Sequence, residues 1–319
     1  MTGLRNKKIL LLGCSGFVGR NLKLALENGG CNDIICLGQK DLDLLDRAAV
    51  KDFFYTTGKD VEIVFFLAAQ YGGIKACREN APEYLMSNSS MVINTVEASL
   101  LLDVEKFIYV SSAVIYPVDS LQPYKEEYLL NGQLEKNVEG YALAKIVGTK
   151  LCQLIGGKYG RNFFSVVPTN MYGPYDRFYD PNSNVVASLI TKFHEAKKNG
   201  SGYVELYGTG RARRDLLFVE DFVDALIFLA EDYHGHDLIN IGSGNDITIS
   251  DLANITKEIV GYDGEIVFNK NYPDGAMKKL LDISKIRQIG WEPKHNIYEG
   301  IKLTYKWFID NMKLYEKRE

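Results

Sequence analysis

The chain has 319 residues, 46% of them hydrophobic and 24% charged, with a formal net charge of −4 at pH 7. That balance belongs to a folded globular protein with room for one large domain or two smaller ones, and it excludes disordered and fibrous classes. A sequence pI near 5.7 argues against a general nucleic-acid binder, and no apolar run reaches the ~18 residues of a membrane span. The opening MTGLRNKKILLLG is basic and then apolar, but Gly13 starts a glycine loop and no small-residue cleavage site follows, so the expected location is the cytoplasm. Cys14, Cys31, Cys36, Cys77 and Cys152 form no C-x-x-C pair, which fits reduced thiols. His234 and His236 lie in the polar stretch EDYHGHD, read as a solvated turn, and no metal site is expected.

Taken in order, short apolar runs alternate with helical patterns. KKILLLG (7–13) reads as a buried strand, followed by the helix FVGRNLKLALEN and a second strand, DIICLG (33–38). VEIVFFLAA (61–69) is the third strand, followed by the helical PEYLMSNSSMVINTVEASLLL, the strand KFIYVSS (106–112), the helical EGYALAKIVGTKLCQLIGGKYG and the strand FFSVVPTN (163–170). Beyond about residue 170 the pattern loosens into Gly, Pro and Asn turns. Alternating strand and helix predicts an α/β fold, a Rossmann-type doubly wound parallel sheet with a smaller C-terminal α/β substrate-binding domain. The expected division is 1–168, plus roughly 217–242, for the dinucleotide domain, and 169–216 with 243–319 for the substrate domain.

Between the first strand and first helix, Gly13, Ser15, Gly16, Phe17, Val18 and Gly19 belong to a G-x-x-G-x-x-G loop, which at this place presents backbone N–H groups and a helix N-terminus to a pyrophosphate. The second strand ends in Leu37-Gly38-Gln39-Lys40 with no carboxylate before Asp41. NAD sites commonly place an acid there for the ribose 2′-OH. Lys40 and Arg20 are the cations available to a 2′-phosphate, so the reading is NADPH.

The spacing Y-x-x-x-K occurs at Tyr55/Lys59, Tyr71/Lys75, Tyr141/Lys145 and Tyr298/Lys302. Only Tyr141 and Lys145 lie in a convincing helix after the fourth strand, where i, i+4 spacing puts both on one face. A phenol titrates near pH ~10, and a neighbouring ammonium favours its phenolate, easing proton transfer at neutral pH. Ser112, at the carboxyl end of the fourth strand, is placed to hydrogen-bond a carbonyl or alcohol.

The glycine loop, Ser112 and the Tyr141/Lys145 pair resemble the extended short-chain dehydrogenase/reductases. Over nearly its full length the chain resembles the GDP-L-fucose synthase family, in AAQYGGIKA (68–76), LLNGQLEKNVEGYALAKIVGTKLC (129–152), VVPTNMYGPYDRF (166–178), SLITKFHEAKK (188–198), YGTGRARRDLLFVEDF (207–222) and PDGAMKKLLDISKIRQIGW (273–291). The resemblance implies reduction of a GDP-4-keto-6-deoxy sugar by NADPH, with Tyr141 as general acid, Lys145 on the nicotinamide ribose and Ser112 orienting the ketone. It implies cofactor contacts at Lys40, Asp43, Ala68, Ala69, Ser111, Pro168, Asn170 and Met171 besides the glycine loop, Tyr141 and Lys145. Ser112, Asn170, Asn184, Lys192, Tyr207, Arg214, Asp274 and Lys279 fall on the GDP-sugar side. Tyr207 stands where the family usually has tryptophan. The cluster Arg211, Arg213 and Arg214 suits a diphosphate through bidentate charge-assisted bonds. The family also implies a homodimer through helices around 82–103 and 138–160.

The departures fall together. In the family, epimerisation at C3 and C5 uses a cysteine two residues before the Tyr-Pro of the fourth-strand loop and a histidine in a Ser-His-Val segment. Here those positions are Val114 and, in Ser183-Asn184-Val185, Asn184. The expectation is therefore an NADPH-dependent C4-reductase of a GDP-4-keto hexose or heptose, serving deoxysugar or polysaccharide biosynthesis, without 3,5-epimerase activity. The alternatives are the bifunctional synthase, a nucleotide-sugar 4-epimerase that retains its cofactor, and a non-catalytic sugar-nucleotide binding protein.

Overall fold

The computed structural model describes residues 3–315. Its first half follows a strand–helix rhythm: β1 (Ile9–Leu12), α1 (Phe17–Asn28), β2 (Ile34–Leu37), α2 (Arg47–Tyr55), β3 (Ile63–Phe66), α3 (Gly73–Glu79), α4 (Ala81–Leu101), β4 (Lys106–Val110), α5 (Glu139–Tyr159) and β5 (Asn162–Pro168). There follow β6 (Asn170–Tyr172), α6 (Val185–Lys198), β7 (Tyr203–Tyr207), β8 (Arg213–Phe218), α7 (Val219–Asp232), β9 (Leu238–Ile241), β10 (Asp246–Thr248), α8 (Ile249–Val260), β11 (Glu265–Asn269), β12 (Lys278–Lys279), α9 (Ser284–Ile289) and α10 (Ile297–Asp310). The second half is thus more helical than its turn-rich sequence leads one to expect.

The main sheet runs β2-β1-β3-β4-β5-β9, every pairing parallel. Strands covered on both faces carry unbroken apolar runs, as ILLL and IVFF do. One face packs Val50, Phe54, Val92, Val96 and Cys152 from α2, α4 and α5 against the sheet. The other takes Leu22 and Leu26 of α1 with Phe222, Leu226 and Leu229 of α7. Lys106 is buried where β4 begins, and its ammonium donates to the carbonyls of Ala230 (2.6 Å) and Glu231 (3.2 Å) in the last turn of α7. A cation there meets the negative end of the helix dipole.

A third core lies beyond the sheet's carboxyl edge. Val186, Ile190 and Phe193 of α6, Leu252 of α8 and Ile301 and Phe308 of α10 enclose Leu206, Leu216 and Phe218. Strand β8 is the hub of this region, pairing with β6, β10 and β12, while β7 and β11 form a separate parallel pair.

Candidate active site

From β1 the chain passes to β2 on one side and returns to β3 on the other, so a crevice opens at the carboxyl ends of β1 and β3. A cavity of about 230 Å³ lies there, lined by Gly13, Ser15, Gly16, Gln39, Asp43, Ala68 and Ala69. Gly16 caps α1 without a side-chain bond, and no acid occupies the first turn, so the helix N-terminus keeps free N–H groups and a positive dipole end. Gly19 is indispensable to this approach, because a Cβ there would lie 2.3 Å from the Gly13 carbonyl oxygen and 2.7 Å from Cys14 Cα. Phe17 and Val18 form the first turn of α1, with Val18 packed on the core. The cradle fits an anionic dinucleotide.

Asp41, the first carboxylate after β2, does not line that cavity; Asp43, two residues on, does. Asp41 turns its Oδ2 back to accept from the Gly38 N–H at 2.7 Å. Gln39 lines the cavity, whereas Lys40 is exposed beside it. Arg20 donates to the Ser15 carbonyl at 3.0 Å and lies 5.6 Å over the Tyr175 ring, so it braces the glycine loop.

At the end of β4 the two serines part company. Ser111 is buried and paired with Thr149 Oγ1 of α5 at 3.0 Å, while Ser112 is half-buried. The Lys145 ammonium donates to the Val110 carbonyl at 2.7 Å and lies 4.8 Å over the Tyr109 ring and 5.7 Å over that of Tyr141. Small residues let α5 come this close: Gly148 lies against the Tyr109 ring. Burial brings Lys145 down to about 7, and burial, with Tyr71 and Cys77 adding, raises Tyr141 well above the ordinary phenol range. The phenol therefore holds its proton at neutral pH and the lysine is poised to gain or lose one. Neighbouring β5 brings Pro168 to the same edge, and β6 begins there with Asn170 exposed and Met171 half-buried.

Val114 packs against the small cluster of Cys77, Val138 and Tyr141. Asn184 stands at the N-cap position of α6 without a side-chain capping bond, its amide donating instead to Asp176 Oδ1 at 3.2 Å and, at 3.5 Å, to the Met171 carbonyl. Asp176 is buried and pushed up to about 6 by that burial, with the Arg177 N–H and Asn184 acting the other way. Its Oδ2 is buried and has no partner among the described residues.

Further out, Arg214 of β8 and Lys279 of β12 stand side by side in register. Arg214 donates to the carbonyls of Arg213 (2.8 Å) and Ala276 (2.7 Å). Burial lowers both pKa values, and among the described residues neither forms an ion pair. The expected arginine cluster does not form as such. Arg213, one residue off along the strand, turns to the opposite side and binds Asp246 at 2.6 Å, and exposed Arg211 reaches Thr209 Oγ1 at 3.2 Å. Asp274 spends both carboxylate oxygens on Thr209, accepting from its N–H and hydroxyl at 2.7 Å each, which ties two loops together. Lys192 donates to the Glu205 carbonyl at 3.1 Å and lies 5.1 Å over the Tyr207 ring.

Three neighbours escape the sequence reading. Tyr272 stacks on Tyr207 with centroids 3.9 Å apart, Tyr71 meets Tyr141 at 5.0 Å, and Asp176 holds Asn184. Tyr71 was visible as one of several Y-x-x-x-K matches, and Tyr71 and Asp176 both lie in stretches that carry the resemblance, but nothing local gave any of the three a role.

The parallel sheet, its switch point and the glycine loop define a short-chain dehydrogenase/reductase fold. The chain belongs to the NAD dependent epimerase/dehydratase family, whose model matches residues 9–242, and within it to the GDP-L-fucose synthase group. It is 40% identical to the GDP-L-fucose synthase of Sinorhizobium fredii, covering 97% of this chain and 98% of that one. It is 39% identical to a probable GDP-L-fucose synthase of Oryza sativa, covering 96% and 93%. Among solved structures, the GDP-mannoheptose C4 reductase from Campylobacter jejuni with NADP bound superposes with a TM-score of 0.87 at 31% identity, covering 96% of this chain and 99% of that one.

Proposed function

We propose that this NADP-dependent oxidoreductase reduces the C4 ketone of a GDP-4-keto-6-deoxy hexose, or of the related heptose, and does not epimerise C3 or C5. The observation that carries the reading is the contrast within one site. Tyr141 and Lys145 are buried together at the end of β4, which Ser112 follows, whereas Val114 packs against the Tyr141 cluster and Asn184 is held by Asp176.

The glycine loop and the N-terminus of α1 would hold NADPH, whose chemistry there would be hydride donation to the sugar carbon. Tyr141 delivers its proton to the ketone oxygen, and the Lys145 ammonium stabilises the phenolate left behind. Ser112 hydrogen-bonds the carbonyl oxygen and fixes its approach to the phenol. Arg214 and Lys279, which form no ion pair among the described residues, attract the diphosphate. Exchanging the proton on a carbon beside the ketone requires a base on one face and an acid on the other. Valine has no exchangeable proton, and the Asn184 amide is neutral.

Incubating the enzyme with GDP-4-keto-6-deoxymannose in D₂O, without NADPH, and following C3 and C5 by NMR tests the reading. Neither carbon gains deuterium, and added NADPH is then consumed in step with loss of the ketone. Enzyme-dependent exchange at C3 and C5 would establish the bifunctional synthase instead.

The same reading takes 1–168 with roughly 217–242 as the cofactor domain, 169–216 with 243–319 as the sugar-nucleotide domain, and the cytoplasm as the place of action. Among the described residues no helix is long and apolar enough to cross a membrane. Exposed Met86, Ile93 and Leu101 on α4 with Leu143 and Leu154 on α5 support a homodimer through these helices, which light scattering at defined concentration tests.

A further inference from the structure

Tyr71 stands on an anchored stretch of backbone just beyond β3. Asn88 of α4 clamps the preceding residue, accepting from the Gln70 N–H at 2.8 Å and donating to its carbonyl at 3.1 Å. The chain then turns through Gly72 and Gly73, the latter at φ +85°, and enters α3. Because Tyr71 precedes that helix, it and Lys75 share the Y-x-x-x-K spacing without sharing a helix face, and they are no second catalytic pair.

Clamp and turn set the Tyr71 ring beside that of Tyr141, with centroids 5.0 Å apart and planes inclined by 51°. On its other flank is the connection between β6 and α6. The Arg177 charge acts on the Tyr71 phenol, against the upward push of burial on its pKa, and Asn182 Oδ1 lies close to Gly73. Tyr71 nevertheless remains 41% exposed, and among the described residues its hydroxyl meets no hydrogen-bond partner. A tyrosine serving only to back the proton donor would be covered and bonded. A tyrosine serving only as surface would not be in ring contact with that donor. An apolar body packed on the proton donor, with an open polar tip, is the arrangement that binds ligands.

Resting on the reading of Tyr141 as proton donor to a GDP-linked 4-keto sugar, we propose that Tyr71 is a sugar-binding, specificity-determining residue, its ring closing one side of the pyranose pocket and its hydroxyl bonding a sugar hydroxyl. It discriminates by the sugar and is indifferent to the nucleotide. The Gln70–Asn88 clamp holds it in place, so the contact is preorganised.

Calorimetric titration of the NADP⁺-saturated enzyme with GDP and with GDP-mannose, a stable GDP-hexose, separates the two parts of the ligand. Tyr71→Phe keeps the ring and loses one hydrogen bond, and the GDP-mannose Kd rises roughly fivefold. Tyr71→Ala also loses the packing surface, and the rise exceeds about tenfold. For both variants the Kd for GDP stays within about twofold of wild type, since a removed sugar contact leaves the nucleotide contacts in place. An unchanged ratio of GDP-mannose to GDP affinity in both variants overturns the proposal, and so does an equal loss for both ligands. Wild-type enzyme that binds neither ligand refutes the GDP-sugar reading itself, and this inference falls with it.

Discussion

The Lys145 ammonium donates to the carbonyl of Val110 at 2.7 Å, so the last residue of β4 pins the helix that carries Tyr141. Burial lowers Lys145 from 10.5 to about 7. The lysine is charged below that pH and loses its proton as pH rises through it, and with the proton goes its support for the tyrosinate. The expected outcome is that kcat/KM for NADPH, which reports the free enzyme, declines above about pH 7. Lys145→Met removes that limb and lowers kcat by about 10²-fold or more. The same shift has a stability consequence. Between pH 7 and 10.5 the unfolded chain holds this proton and the folded one does not, so the cost of burying Lys145 is full below about 7 and fades as pH rises to 10.5. Urea unfolding at pH 7 and pH 10 therefore shows wild type gaining on Lys145→Met at the higher pH.

Tyr141→Phe keeps a buried ring against Tyr71 and removes only the transferable proton. Ketone reduction falls about 10²–10⁴-fold, the usual worth of a general acid, while the Kd for NADPH changes by less than about twofold. A loss of only about twofold in kcat would show that another group delivers the proton.

Cofactor choice turns on the end of β2. Asp41, the first carboxylate there, is committed to the Gly38 N–H, and Lys40 is exposed next to Gln39 at the cavity. NADPH is expected to exceed NADH in kcat/KM, with Lys40→Ala lowering the NADPH value about tenfold through loss of one charge-assisted phosphate contact and leaving NADH nearly unchanged. Equal wild-type values for the two cofactors would count against a phosphate site at this strand end.

The sheet was legible in the sequence because strands buried on both faces need unbroken apolar runs, and ILLL, IVFF and KFIYV supply them. Helix α1 was legible down to its ends, since a glycine loop leads into its amphipathic pattern and Gly29 ends it. The helices after residue 170 were harder to read, because short polar connections at glycine and asparagine interrupt their periodicity. Arg213 shows a second reason. Three arginines close in sequence look like one patch, but strand alternation sends Arg213 to Asp246 and Arg214 toward Lys279. That much the period-two rule contains. The contact of Tyr71 with Tyr141 spans 70 positions of the chain and exists only once α5 lies against the end of β4, so no local pattern announces it.

Asn184 lies within hydrogen-bond reach of a buried carboxyl, its amide 3.2 Å from Asp176 Oδ1, and Val114 packs against the Tyr141 cluster. Asn184→His places an imidazole where that carboxylate can pair with it, and such pairing favours the charged, proton-bearing ring. Val114→Cys supplies a thiol beside Tyr141. Either change alone provides one proton carrier, and exchange through an enolate with inversion needs two, on opposite faces. The expected result is that Val114→Cys/Asn184→His catalyses deuterium incorporation at C3 or C5 of a GDP-4-keto-6-deoxy sugar, while wild type and both single variants do not invert either centre. The double variant retains C4 reduction, because Ser112, Tyr141 and Lys145 are unchanged. Exchange by wild type would remove the basis of the argument. A well-folded double variant that reduces normally and exchanges nothing would show that these two positions do not face C3 and C5, and that the sugar lies differently against Tyr141.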